Sequence, residues 1–127
     1  MKKPHKRLDL WHKSMDFAET MYEMTADFPE HEKFGLISQI RRAAISIPAN
    51  VAEGAARKST KEFIQFIHVA MGSCSELDTQ LELVKRIGYI SCEYWQEIDE
   101  YLSNIDCMLV GLRNSLRMDN KSLTANA

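Results

Sequence analysis

The chain has 127 residues, 45% of them hydrophobic and 27% charged, with a formal net charge of -2. That is a globular composition sized for one domain with one core, which excludes a disordered chain and two ordinary domains. No uninterrupted apolar run approaches the roughly 20 residues that span a bilayer, and the basic opening residues lead into no apolar stretch of the kind a secretory leader carries.

The first predicted helix covers about residues 8–26, with Leu8, Trp11, Met15, Ala18 and Tyr22 along one face and Met21 and Thr25 beside them. Phe28-Pro29 interrupts it, because the proline ring pushes the preceding residue out of the helical region. The second helix follows from about residue 34 and ends near 56–58. Its stripe is Ile37, Ile40, Ala44, Ile47, Val51 and Ala55, at three- and four-residue steps. Pro48 lies in the middle of it. Proline has no amide hydrogen and crowds the carbonyl four residues back, so the helix must bend there or restart. Asn50 and Glu53 stand in capping-box relation just afterwards, which would serve a restart.

Ser59 and Glu62 form an S-x-x-E capping box that opens the third helix, whose stripe is Phe63, Ile67, Ala70, Cys74, Leu77, Leu81 and Val84. Gly88, just after Lys85 and Arg86, has the position of a C-terminal cap, and Ser91 that of the next N-cap. The fourth helix presents Tyr94, Ile98, Tyr101/Leu102, Ile105, Met108/Leu109, Leu112 and Leu116. With no period-two segment, the fold class is all-α: an antiparallel up-down-up-down four-helix bundle with a proline-kinked second helix. It forms a single domain over residues 1–127, with its core at about 8–117 and a polar tail at 118–127 that frays. Trp11, Phe66, Val69, Trp95 and Val110 fall at the edges of the stripes; together they either widen the core or drive oligomerisation.

Charge is segregated along the chain. Residues 1–13 carry +4, 14–38 carry -5, 39–61 carry +4, 62–91 carry -2, 92–112 carry -5 and 113–127 carry +2. Such blocks favour head-to-tail self-assembly or the capture of a polyanion on one side.

Chemistry is harder to find. His5, His12, His31 and His68 supply no Glu-x-x-His pair for a di-iron bundle, so no metal and no cofactor is expected. No phosphate-binding glycine loop is present either. Cys74 has no sequence-encoded histidine partner and reads as a core thiol. Cys74, Cys92 and Cys107 lack zinc-site spacing and read as reduced, partly buried thiols of a cytoplasmic protein. Pro48, Asn50, Glu53, Glu76 and Gln80, with Ser38, Gln39 and Ser46, read as a polar structural motif around the proline. Glu53 could instead pair with Arg41, Arg42 or Arg57 at a subunit boundary. Arg41, Arg42, Arg57, Lys58 and Lys61 are the candidate contacts to nucleic acid or to a neighbouring subunit, with Lys2, Lys3, Lys6 and Arg7 as a flexible arm.

Leu10-Trp11, Phe28-Pro29, Glu32-Lys33-Phe34-Gly35-Leu36, Ser38-Gln39-Ile40-Arg41-Arg42-Ala43 and especially Ser46-Ile47-Pro48-Ala49-Asn50-Val51-Ala52-Glu53-Gly54 carry a resemblance. Glu62-Phe63, Ala70-x-Gly72-Ser73, Glu76-Leu77-Asp78-Thr79-Gln80-Leu81 and Gly88-Tyr89 extend it. Over about residues 8–117 the chain resembles the four-helix bundle proteins of intervening sequences in bacterial 23S rRNA genes. More distantly it is similar to the accessory protein of diversity-generating retroelements, which is more basic. The first resemblance implies an antiparallel bundle that assembles into a homopentamer and brings no catalytic residues. The second implies RNA or DNA as a partner. The expectation is therefore a noncatalytic, cytoplasmic homo-oligomer without a membrane partner; the alternative is an RNA- or DNA-binding accessory protein acting through the basic patch.

Overall fold

The computed structural model describes residues 3–125, with side chains described through residue 120. Four helices follow in order: α1 Asp9–Thr25, α2 Leu36–Ala55, α3 Thr60–Arg86 and α4 Cys92–Ala125, with 3-10 turns at Pro4–Arg7 and Glu30–Glu32. Among the described residues there is no strand. α2 packs against both α1 and α3, α3 against α4, and α4 against α1, while among the described residues neither diagonal pair of backbones comes as close. This is the four-sided cross-section of a four-helix bundle. Its inner layer is Phe17 and Met21 from α1, Ile40, Ile47 and Val51 from α2, Ile67, Leu77, Leu81 and Val84 from α3, and Ile105 and Leu109 from α4.

Specific side chains join the neighbours. Arg41 reaches Thr25 and Tyr22, Ser46 meets Ser73, and Gly54 lies against Phe63 and Phe66. His68 meets Arg117, Lys85 lies over the Trp95 ring, and Tyr101 stacks edge-on against Phe17.

The capping signals are realised at three helix ends. Ser59 Oγ accepts the Glu62 amide at 3.1 Å, and Ser91 Oγ accepts the Tyr94 amide at 3.1 Å. At the end of α3, Gly88 has φ +84, the Gly88 amide donates to the Lys85 carbonyl and the Tyr89 amide to that of Val84. That pair of bonds is a Schellman cap, and the left-handed turn is why glycine stands there.

Four expectations are corrected. The inward face of α1 is Leu10, Ser14, Phe17, Ala18, Met21 and Met24, whereas Met15 and Tyr22 are exposed. The rest of the expected face holds, with Ala18, Met21 and Thr25 buried and Leu8 and Trp11 packed against the core, and Ser14 joins it although serine is polar. Its hydroxyl donates to the Trp11 carbonyl at 3.0 Å, so it enters the core with its hydrogen bond already made. Second, α2 does not restart at Pro48; it is one helix with a buried proline inside, so Asn50 is no N-cap. Third, α4 continues as helix from Arg117 through Ala125, and residues 126–127 of the expected tail lie outside the described residues. Fourth, the expected arm is not free: Pro4–Arg7 form a 3-10 turn packed on α1 and α2, with His12 Nε2 2.9 Å from the Lys6 carbonyl, while Lys2 lies outside the described residues.

Candidate assembly surface

The polar motif predicted around Pro48 divides. With no N–H on Pro48, the carbonyl of Ala44 loses its helical donor. Two residues on, the Asn50 side-chain amide donates to the Ser46 carbonyl at 2.7 Å and to Ser46 Oγ at 2.9 Å, and Ser73 of α3 donates to the same Oγ at 2.8 Å. Ser46, Asn50 and Ser73 therefore form a hydrogen-bonded clasp between α2 and α3 directly beside the proline. Glu53 is not part of it: it faces solvent and pairs with Arg57 at 3.0 Å, the intrachain form of the pairing considered from sequence. Glu76 and Gln80 meet each other weakly at 3.4 Å along α3, and among the described residues the buried Gln80 Oε1 has no partner. Ser73 escaped sequence reasoning because it lies 27 residues from its partner and looks like a generic helix-packing serine.

The five basic residues do not form one cluster. Arg41 and Arg57 stand 16 residues apart on or just beyond α2, about 24 Å at 1.5 Å per residue. Arg41 is committed to the fold. Its Nε donates to Thr25 Oγ1 at 2.8 Å, its Nη2 to the Tyr22 carbonyl at 3.2 Å, and its guanidinium lies 4.4 Å from the Tyr22 ring centre. A cation on the last carbonyls of α1 opposes the negative end of that helix. Arg57 is engaged by Glu53 and lies 4.9 Å from the Phe66 ring centre. Arg42, Lys58 and Lys61 are exposed, and among the described residues none is in an ion pair.

Of the edge residues, Trp11, Phe66, Trp95 and Val110 are half-buried, while Val69 is 53% exposed. They do not form a single patch, since Trp11 packs against His5 and Trp95 is covered by Lys85. The apolar surface that does cluster was not foreseen. Between α1 and α2 a groove of about 470 Å³ is lined by Met15, Ala18, Tyr22, Ile45 and Pro48, with Glu19 and Glu23 at its rim. Met15 is 38%, Tyr22 41% and Ile45 44% exposed. The acids of α1 are felt across the bundle. The Tyr101 hydroxyl is held above its usual pKa by burial and then by Asp16 and Glu19, and that of Tyr94 by burial and then by Glu23 and Glu97.

Another cavity, about 530 Å³ between α3 and α4, is lined by Cys74, Ser75, Asp78, Thr79, Leu102, Ser103, Asp106 and Cys107. Burial, and then the charge of Asp106, push the Cys74 thiol up to about 12, so at neutral pH it is no nucleophile. Cys92 and Cys107 are exposed, contrary to the partly buried state expected for them. Among the described residues no group of three His, Cys, Asp or Glu side chains is placed to hold a metal ion, and no helix is long and apolar enough to cross a membrane.

Comparison with known proteins bears on this arrangement. A family model described as "23S rRNA-intervening sequence protein" matches residues 6–111. No curated protein matches the chain. The fold is similar to the crystal structure of a protein with unknown function from the S23 ribosomal protein family from Bacteroides thetaiotaomicron. That similarity has a TM-score of 0.73 at 28% sequence identity, and covers 82% of this chain and 97% of the other.

Proposed function

The chain belongs to the 23S rRNA-intervening sequence protein family, and from that premise we propose that it is a noncatalytic, cytoplasmic assembly protein whose working form is a cyclic homo-oligomer, a pentamer. One observation carries the reading. The groove of Met15, Ala18, Tyr22, Ile45 and Pro48 is an apolar surface gathered in one place, and it is rimmed by acids while other parts of the chain present unpaired cations. Scattered exposed apolar residues need no explanation, but a concave cluster of them marks an interaction surface. The reading takes the bundle as antiparallel: along α3 and α4, His68 is opposite Arg117, Met71 opposite Arg113 and Lys85 opposite Trp95. It also takes Pro48 as a bend that turns the middle of α2 and opens the groove.

The test is the mass of the full chain by light scattering at several protein concentrations, at low and at high salt. A stable multimer is expected; a monomer throughout would reject the reading. Contact with RNA or DNA is a second reading, favoured by Arg42, Lys58 and Lys61, which are exposed and in no ion pair among the described residues. It predicts binding that weakens steeply with salt, and no binding of either nucleic acid at low salt would eliminate it.

A further inference from the structure

We propose that the acidic-rimmed groove between α1 and α2 receives the basic α2–α3 corner of a second copy of this chain, a contact that rests on the assembly reading above and specifies its two surfaces. The groove supplies apolar floor and negative rim together: Met15, Ala18, Tyr22, Ile45 and Pro48 below, Glu19 and Glu23 above. The corner supplies the complement. Lys58 lies in the turn and Lys61 in the first turn of α3, both exposed, and Val69 stands two turns further along α3 with 53% of its surface in solvent. Arg57, clamped by Glu53 and stacked on Phe66, stiffens the corner from behind. The acidic α4 is the poorer counterpart. Its outward positions Glu93, Gln96, Glu97, Glu100, Ser103 and Asn104 offer charge without apolar surface beside it, and its exposed Met118 lies more than three turns further on. Charge brings the surfaces together and fixes their register, while apolar burial holds them.

Groove and corner are different patches, so the contact is heterologous. After a first contact one subunit keeps its corner free and the other its groove, which propagates into a ring when the rotation closes and into a filament when it does not. Two-fold pairing through either patch alone would set like charges against each other.

The experiment is charge reversal, read by light scattering on the full chain at fixed concentration. E19K/E23K and K58E/K61E should each lower the assembled mass to that of a monomer or raise the dissociation constant at least tenfold. All four substitutions in one chain should restore the wild-type mass, because groove and corner are then complementary with their signs exchanged. All four residues are exposed, and far-ultraviolet circular dichroism verifies that each variant remains folded. Wild-type assembly in both double variants overturns this contact while leaving assembly standing, as does a folded quadruple variant that stays dissociated. A wild-type chain that is monomeric at every concentration overturns both, and one that gains mass only on adding RNA or DNA does the same in favour of the nucleic-acid reading.

Discussion

Glycine 54 gives the sharpest test of the packing because two effects of known size oppose each other there. Replacing glycine by alanine inside a helix ordinarily stabilises by about 1 kcal/mol, through the lost freedom of the unfolded chain. At Gly54, however, an added Cβ would lie 2.8 Å from Phe63 Cδ1 and 2.9 Å from Phe66 Cβ, against the 3.5–4.0 Å of ordinary carbon contacts. The Phe63 ring can swing, since it is only half-buried. Phe66 Cβ cannot, because it is fixed to the α3 backbone, so the helices must part. Overpacking of that kind costs about 1–3 kcal/mol, which leaves Gly54→Ala destabilised by up to about 2 kcal/mol. Gly72 and Gly111 are the internal controls. Both lie within helices with no atom in the way of a Cβ, so alanine at either should stabilise by up to about 1 kcal/mol. Urea denaturation of the three variants at one protein concentration decides the matter. A midpoint for Gly54→Ala raised as far as that of Gly72→Ala would refute the close α2–α3 approach.

The other predictions concern hydrogen bonds and ionisation. Arg41→Ala should cost about 1–2 kcal/mol by removing two charge-assisted bonds from the end of α1, and Arg42→Ala less than about 0.5, both read from urea midpoints. Ser46→Ala and Ser73→Ala should each cost about 1 kcal/mol and be less than additive together, because they break the same bond; a double-mutant cycle measures the coupling. Alkaline stability should follow Cys74. Its thiol is raised from 9.0 to about 12 in the folded protein, so the contribution is complete below pH 9 and is lost as pH rises from 9 through 12. At 1.36 kcal/mol per unit this reaches about 2 kcal/mol by roughly pH 10.5. Cys74→Ala should flatten urea midpoints measured from pH 8 to 10.5, although raised Tyr89, Tyr94 and Tyr101 add a loss of the same sign above pH 10.

What the sequence revealed was whatever is decided locally. The stripe of α3 reads correctly because a 27-residue helix repeats its pattern many times, and Ser59, Gly88 and Ser91 read correctly because caps are made within a few residues. What stayed hidden depends on a partner far along the chain. Arg41 looks like a free surface cation until Thr25 and Tyr22, 16 and 19 residues away, are brought beneath it. Asn50 with Glu53 mimics a helix start, and only the approach of Ser73 shows Asn50 serving Ser46 instead. Ser14 misled in the opposite direction: a polar residue that satisfies itself on its own helix can take a core position, and periodicity has no means of recording that.

The groove was the least legible feature, for a physical reason. Periodicity distinguishes one face of a helix from the other only when the outer face is polar. The outward positions of α2 are Gln39, Arg42, Ile45, Ala49 and Glu53, and Pro48 is buried immediately beside Ile45 and Ala49. Among those polar neighbours a single outward isoleucine gives periodicity no sign that it lines a groove with α1. Such a groove suits a partner. Alanine and proline lose almost no side-chain entropy on burial, and their small volume lets another backbone come close. In a monomer that surface would gain nothing from being apolar, whereas a subunit boundary gains about 25 cal/mol for each Å² removed from water. The inward stripe of α2 reads correctly from Ile40 to Val51, whereas Ile45 stays silent in the sequence because the groove it lines exists only once α1 is packed beside it.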